Sequence, residues 1–304
     1  MRKLALLLLV ACGGSTSPAS PGDLDSASDA GRGDADSKVD VDGDVDGSAS
    51  GCASAASTTA TSVTSPTGCA VLERDRSACD AERKAAGLDG FWLKFSCRVK
   101  LVVGDGYVDA QSDGLPDYKS NYFLSTDACY ESYPGANPNH IASYAYQVRF
   151  PRTPSGVSAK MNGGTVGLAL NGVPIFSNAA APGDDIFLEA KTFDRCAAHP
   201  QMSGYYHYHS EPFAISYDDP NFIGVMRDGI PVYGRRDSDG SMPALDENGG
   251  HEGVTADSPS TPLYHYHVNE QTSTAPSSVG ETQWFLTKGT YKSAPATCPA
   301  CAIR

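Results

Sequence analysis

Tyr206-His207-Tyr208-His209 and Tyr264-His265-Tyr266-His267 are two copies of one tetrapeptide, and together they hold four of the seven histidines in the chain. On a helix, residues two apart point to nearly opposite sides, whereas on a strand they share a face. An HxH pair can therefore grip one object only from extended chain, and the alternation of Tyr with His favours a strand. Strand rise then sets the two rings of a pair roughly 6 to 7 Å apart, close enough for both to reach one ion.

Upstream of each copy stands a further histidine, in Asp194-Arg195-Cys196-Ala197-Ala198-His199 and in Asp246-Glu247-Asn248-Gly249-Gly250-His251. Further upstream, Asn171-Gly172-Val173-Pro174-Ile175-Phe176 is echoed by Asp228-Gly229-Ile230-Pro231-Val232-Tyr233. The order turn, Asp-x4-His, HxH thus recurs with an offset of 52 to 58 residues, the mark of an internal duplication.

Each half supplies three histidines: His199, His207 and His209 in the first, His251, His265 and His267 in the second. Three neutral imidazoles suit zinc, copper, nickel or iron and disfavour calcium and magnesium, which want oxygen donors. Packed histidines in a β core are the competing reading, but two matched triples are harder to explain by packing. The four tyrosines fall on the opposite strand face and read as core. Asp194 and Asp246 are candidates for orienting an imidazole or for capping a turn.

The amino terminus reads Met1-Arg2-Lys3, an apolar run from Leu4, then Leu9-Val10-Ala11-Cys12. A charged start, a short apolar stretch and small residues before Cys form an export signal that resembles a bacterial lipobox, so cleavage before Cys12 and its lipidation are expected. Residues 1–11 would be the signal, and the protein would be held at the bacterial cell surface or outer membrane by that lipid alone. Residues 12–68 are an acidic Ser/Ala/Thr/Asp linker; 15–68 hold nine Asp, two basic residues and almost no large apolar side chain. Such a stretch cannot bury enough surface to offset its ordering entropy, which predicts a disordered stalk. Within it, the Asp42 run opens like a calcium loop but places Ala53 where the closing Glu belongs.

Nine cysteines less Cys12 leave eight, an even number that points to disulfides in an exported chain. Cys298-Pro299-Ala300-Cys301 has redox spacing but no strand-helix context for a thioredoxin-like site, so a disulfide staple is expected. The formal net charge of −13 argues against nucleic acid and anionic lipid headgroups as partners.

Residues 69–304 are long enough for one substantial core. A helix is predicted within 73–87, and strands over 91–103, 141–150, 165–170, 185–189, 213–217, 222–226, 263–268 and 282–286. The fold class is mainly β, a sandwich or barrel-like domain with long loops, its two halves related by a pseudo-dyad.

Taken together, Ser112-Asp113-Gly114-Leu115-Pro116-Asp117, the Asn137-Pro138-Asn139 turn, Asn171-Gly172-Val173-Pro174, the Asp194 to Pro200 segment, both Tyr-His-Tyr-His copies, the Ile223 to Gly234 segment, Leu245-Asp246-Glu247 and His251 resemble the family of exported proteins named for its YHYH motif. The resemblance spans about 102–285. Two positions depart from the family pattern. Tyr118 stands where the family often has His, which removes a candidate ligand, and Asn248 stands where a Cys is common, which leaves Cys196 to another partner.

The leading expectation is a lipid-anchored surface protein that binds copper or zinc through the six histidines, either as two separate sites or as one binuclear centre. An enzyme, a hydrolase or copper oxidoreductase, is the alternative, with Glu211 and Glu252 as the carboxylates nearest the motifs in sequence. A metal-free hydrolase lacks a GxSxG elbow. A structural or adhesive domain with packed histidines is the remaining reading.

Overall fold

The computed structural model describes residues 76–134, 137–298 and 301; Cys12, the linker over 12–68 and the Asp42 run lie outside them. The described chain is mainly β, as its composition of short apolar runs predicts. Helix α1 (Arg76–Ala85) leads into a 3-10 turn at Gly90–Lys94. Strands β1 (Lys100–Gly104), β2 (Tyr107–Ser112) and β3 (Tyr146–Pro151) form an antiparallel three-stranded sheet. A larger sheet follows, from β5 to β12, after the short β4 (Ala159–Lys160).

The first half of the large sheet holds β5 (Thr165–Ala169), β6 (Pro174–Phe176), β7 (Ala198–Pro200) and β8 (Tyr206–Tyr208), with the one-turn helix α2 (Ile186–Glu189) between β6 and β7. The second half holds β9 (Phe222–Met226), β10 (Pro231–Tyr233), β11 (Gly250–Thr255) and β12 (Ser258–His267). Two antiparallel two-stranded pairs complete the fold: β13 (Asn269–Thr272) with β14 (Thr282–Phe285), and β15 (Thr290–Tyr291) with the distant β4.

The strand order β11-β12-β10-β9-β5-β6-β8-β7 is a palindrome of repeats. In each half the first two strands pair antiparallel, the second and fourth pair parallel, and the third and fourth pair antiparallel. The halves join through β5 and β9, antiparallel, with Gly167 opposite Met226, Leu168 opposite Val225 and Ala169 opposite Gly224. Val225 stands 57 residues after Leu168, and Gly224 57 after Gly167. The expected pseudo-dyad therefore passes through the Leu168–Val225 pair.

A bulge recurs at equivalent places: the ladder skips Val166 in β5 and Ile223 in β9. The extra residue shifts the side-chain alternation. Val166 and Ile223 enter one core while Leu168 and Val225 enter the other. Both glycines after the bulge permit close backbone approach: a Cβ on Gly224 would lie 2.2 Å from the Leu168 carbonyl oxygen, and one on Gly167 2.8 Å from that of Val225.

One face of the large sheet is covered at its centre by the three-stranded sheet, where Val108, Ala110, Val148 and Phe150 meet Leu168, Phe222, Val225 and Tyr233. The other face carries the tyrosines of both motifs, packed with Val166, Ile175, Ile223 and Val232. The arrangement is sandwich-like at its middle and open at its edges, β11 and β7.

Several expected strands take other forms. Residues 185–189 become α2 because the Asp185 side chain caps it, accepting from the Phe187 amide at 3.0 Å. Residues 213–217 turn instead, with the Ile215 and Ser216 amides both donating to the Pro212 carbonyl. The segment 91–103 is extended only from Lys100, and 141–150 only from Tyr146. All six described cysteines are disulfide-bonded: Cys79 to Cys97, Cys298 to Cys301, and Cys129 and Cys196 likewise in disulfides.

Candidate metal centres

Pairing and pleat bring each triple together. On the first wing His199 of β7 lies directly opposite His207 of β8, and on the second His251 of β11 lies opposite His265 of β12. The second histidine of each HxH shares the face of the first. The ring centroids of His207 and His209 are 4.7 Å apart, as are those of His265 and His267. Each triple gathers donor nitrogens within 4.8 Å of one another. The sheet order puts β6, β5, β9 and β10 between the two motif strands, so the six histidines form two separate centres and do not converge on one.

The ring orientations are fixed from behind. Nδ1 of His207 faces the Tyr205 carbonyl at 2.8 Å and Nδ1 of His209 that of Ser177 at 2.5 Å. In the second half, Nδ1 of His265 faces the Leu263 carbonyl at 3.0 Å and Nδ1 of His267 that of Gly234 at 2.7 Å. A carbonyl only accepts, so each Nδ1 must carry the proton, and each Nε2 presents a lone pair inward. The consequence is sharpest in the first half, where the Nε2 atoms of His207 and His209 are 2.9 Å apart. Two lone pairs at that distance repel unless a cation lies between them.

Burial disfavours the charged form of His199, His207, His209, His265 and His267. Desolvation first, and the neighbouring His209 second, hold His199 down to about 3. Burial lowers His209 and His267 to about 4 and depresses His207 and His265 as well. His199 and His267 each have a buried Nε2 with no hydrogen-bond partner, a cost of about 1–3 kcal/mol apiece unless something else binds there.

Aromatic walls flank the rings. Phe176 stacks on His207 at 3.9 Å, and its repeat counterpart Tyr233 meets His265 edge-on at 5.3 Å. Phe193 lies parallel to His209 at 5.9 Å. Gly253 is shaped by the second triple: a Cβ there would sit 3.0 Å from His251 Cε1 and 3.2 Å from His265 Cε1.

Two carboxylates that the motif spacing does not reveal stand at the centres. Asp237 Oδ1 lies 3.0, 3.5 and 3.4 Å from Nε2 of His251, His265 and His267. Glu189, at the end of α2, brings Oε1 to 3.3 Å from His199 Nε2. Neither belongs to the repeated turn, Asp-x4-His or HxH elements. Comparison of the two repeats therefore passes over both.

The carboxylates expected from sequence go elsewhere. Asp194 accepts from the Tyr206 and Ser120 hydroxyls and from the Cys196 and Ala198 amides. Asp246 accepts from the Tyr264 hydroxyl at 2.8 Å and from the Asn248 and Gly250 amides. Both cap the loop before the third strand and anchor a motif tyrosine; neither orients an imidazole. The outer tyrosines follow the same symmetry, Tyr208 bonding Asn171 and Tyr266 bonding Asp228. Tyr118 belongs to this side, its hydroxyl 3.0 and 2.7 Å from those of Tyr206 and Tyr208.

Glu211 is buried in an ion pair with Arg235 at 2.6 Å and accepts from Ser216 and the Asp218 amide. Glu252 is exposed on the face of β11 opposite His251. Neither joins a histidine group. The third described group of metal-ligand type, Asp109 with Cys298 and Cys301, has its two sulfurs joined to each other.

The family model described as YHYH protein matches residues 147–242. That span takes in the first triple and Asp237 and stops before His251 and the second motif. No curated protein and no solved structure matches the chain.

Proposed function

Because residues 147–242 of this chain are a YHYH domain, we propose that its function is to bind transition metal, zinc or copper, at two separate three-histidine centres on the wings of one sheet. The observation that carries this reading is the convergence of three imidazoles in each half, with Nε2 of His207, His209, His265 and His267 left unprotonated because each Nδ1 gives its proton to a backbone carbonyl behind it. In a tetrahedral site with metal–nitrogen bonds of about 2.0–2.1 Å, neighbouring donors stand about 3.3 Å apart. The donors of each triple already lie within 4.8 Å of one another, and Nε2 of His207 and His209 at 2.9 Å. The donor chemistry, imidazole with at most one carboxylate, suits zinc and copper and not calcium or magnesium.

The protein acts outside the cytoplasmic membrane, anchored through lipid on Cys12. The lipobox-like Leu9-Val10-Ala11-Cys12 and the disulfides of the domain support that placement. As a binding module the domain needs no substrate, and the buried tyrosine and carboxylate network keeps both motif strands rigid, so the donors are organised before metal arrives.

Elemental analysis of the exported chain tests the reading. About two ions of zinc or copper per chain are expected, lost together in the double variant His207→Ala, His265→Ala. Metal absent after incubation with both ions, or retained in full by the double variant, leaves the histidines as architecture.

A further inference from the structure

We propose that the duplication has left two unlike centres: the second is closed by Asp237 as a fourth protein ligand, and the first keeps an open position, beside Glu189, for a small exogenous ligand such as water or a small anion. This inference rests on the metal-binding reading above.

In the second centre Asp237 Oδ1 stands 3.0–3.5 Å from all three Nε2 atoms. Those separations match three of the six edges of a tetrahedron around an ion bound at about 2.0 Å, whose edge is about 3.3 Å. The carboxylate is also held in place. Its neighbour Arg236 donates to both carboxylate oxygens of Asp218, at 2.9 and 2.7 Å, and to the Gly240 carbonyl at 3.1 Å. The Asp237 amide closes the loop onto the Ser241 carbonyl at 2.9 Å. Three histidines and one fixed carboxylate make a full tetrahedral set.

Among the described residues, the first centre has no such ligand. The donor cluster there consists of His199, His207 and His209 alone, with no carboxylate among them. Glu189 faces His199 at 3.3 Å without joining the cluster. Its other oxygen, Oε2, is buried with no partner, as is His199 Nε2. A water or small anion bound to an ion at this centre would fill the fourth position, and a bound water would donate to the stranded carboxylate oxygen. Three protein ligands and an exchangeable fourth are the arrangement that lets an ion do chemistry, whereas four protein ligands make a structural site.

Cobalt(II) reports coordination through its visible absorption, and azide is a small anion that occupies open positions. The full exported chain loaded with cobalt is titrated with azide, alongside His265→Ala, which leaves the first centre, and His207→Ala, which leaves the second. The expected result is a saturable spectral shift in His265→Ala, none in His207→Ala, and a shift regained when Asp237→Ala is added to His207→Ala. In the wild type, about half of the cobalt absorption should respond; this measurement needs no variant to fold. An azide shift in His207→Ala, a response of all or none of the wild-type cobalt, or a silent His265→Ala with cobalt bound overturns the inference and leaves metal binding intact. Failure of the wild type to take up cobalt, zinc or copper overturns both readings.

Discussion

Adding zinc to the metal-free protein should raise its melting temperature through two independent contributions, one from each centre. Free metal at a hundred times its dissociation constant stabilises the folded state by about 2.7 kcal/mol per site. A domain of this size shifts by about 2–4 °C per kcal/mol, so each centre is worth about 5–11 °C. Independence follows from the sheet. Five strand spacings of about 4.8 Å separate β8 from β12, roughly 24 Å of sheet, well beyond the range at which effects couple. His207→Ala and His265→Ala should each remove only the part of the zinc-dependent shift that belongs to its own centre, and together all of it. The assay is a thermal melt of the exported chain, disulfides intact, with and without chelator. A shift unchanged in the double variant would refute the assignment of the donors. Loss of the whole shift in either single variant would refute the separation of the centres.

Further outcomes follow from the side chains around the centres. Glu211→Gln leaves Arg235 without its buried partner and should cost about 3–5 kcal/mol in denaturant stability, yet leave zinc content unchanged; zinc lost with stability kept would make Glu211 a ligand after all. Stability of the metal-free protein should fall as pH drops from about 6.5 to about 4. Burial holds His209 and His267 at about 4 against an ordinary 6.5, so the unfolded chain binds more protons across that window. Asp194 and Asp228, raised to about 6 chiefly by burial, act with the opposite sign, adding stability as pH drops through 6. They are fewer than the depressed histidines, so the net trend is a decline, read from urea midpoints at pH 7, 5.5 and 4.5; a rising midpoint would contradict the burial of the rings.

Much of the architecture was legible because it rests on periodicity and repetition. Alternation in Tyr206 to His209 and Tyr264 to His267 predicts strands with histidines on one face and tyrosines on the other, which is how they lie. The paired turns at Asn171 and Asp228 mark equivalent strand connections. Local patterns were weaker where one capping or turn residue overrode an apolar run. Asp185 converts 185–189 from an expected strand to a helix turn, and Pro212 bends 213–217. The short strands β6, β7 and β10, three residues each, carry too little pattern to be read alone; they exist because neighbours on the sheet pair with them.

The sequence by itself determined the duplication, the division of each motif into a donor face and a core face, and the six histidines, since these depend on spacing within single strands. Only the tertiary structure decided that the triples stand on opposite wings, because that depends on β5 and β9 meeting at the centre of the sheet. It also decided which carboxylates meet the imidazoles. Asp194 and Asp246 are near the histidines in sequence, but the pleat turns the tyrosines they bind to the far face. Asp237, in the loop after β10, and Glu189, at the end of α2, lie outside the repeated motifs, and long-range packing brings them to the Nε2 atoms.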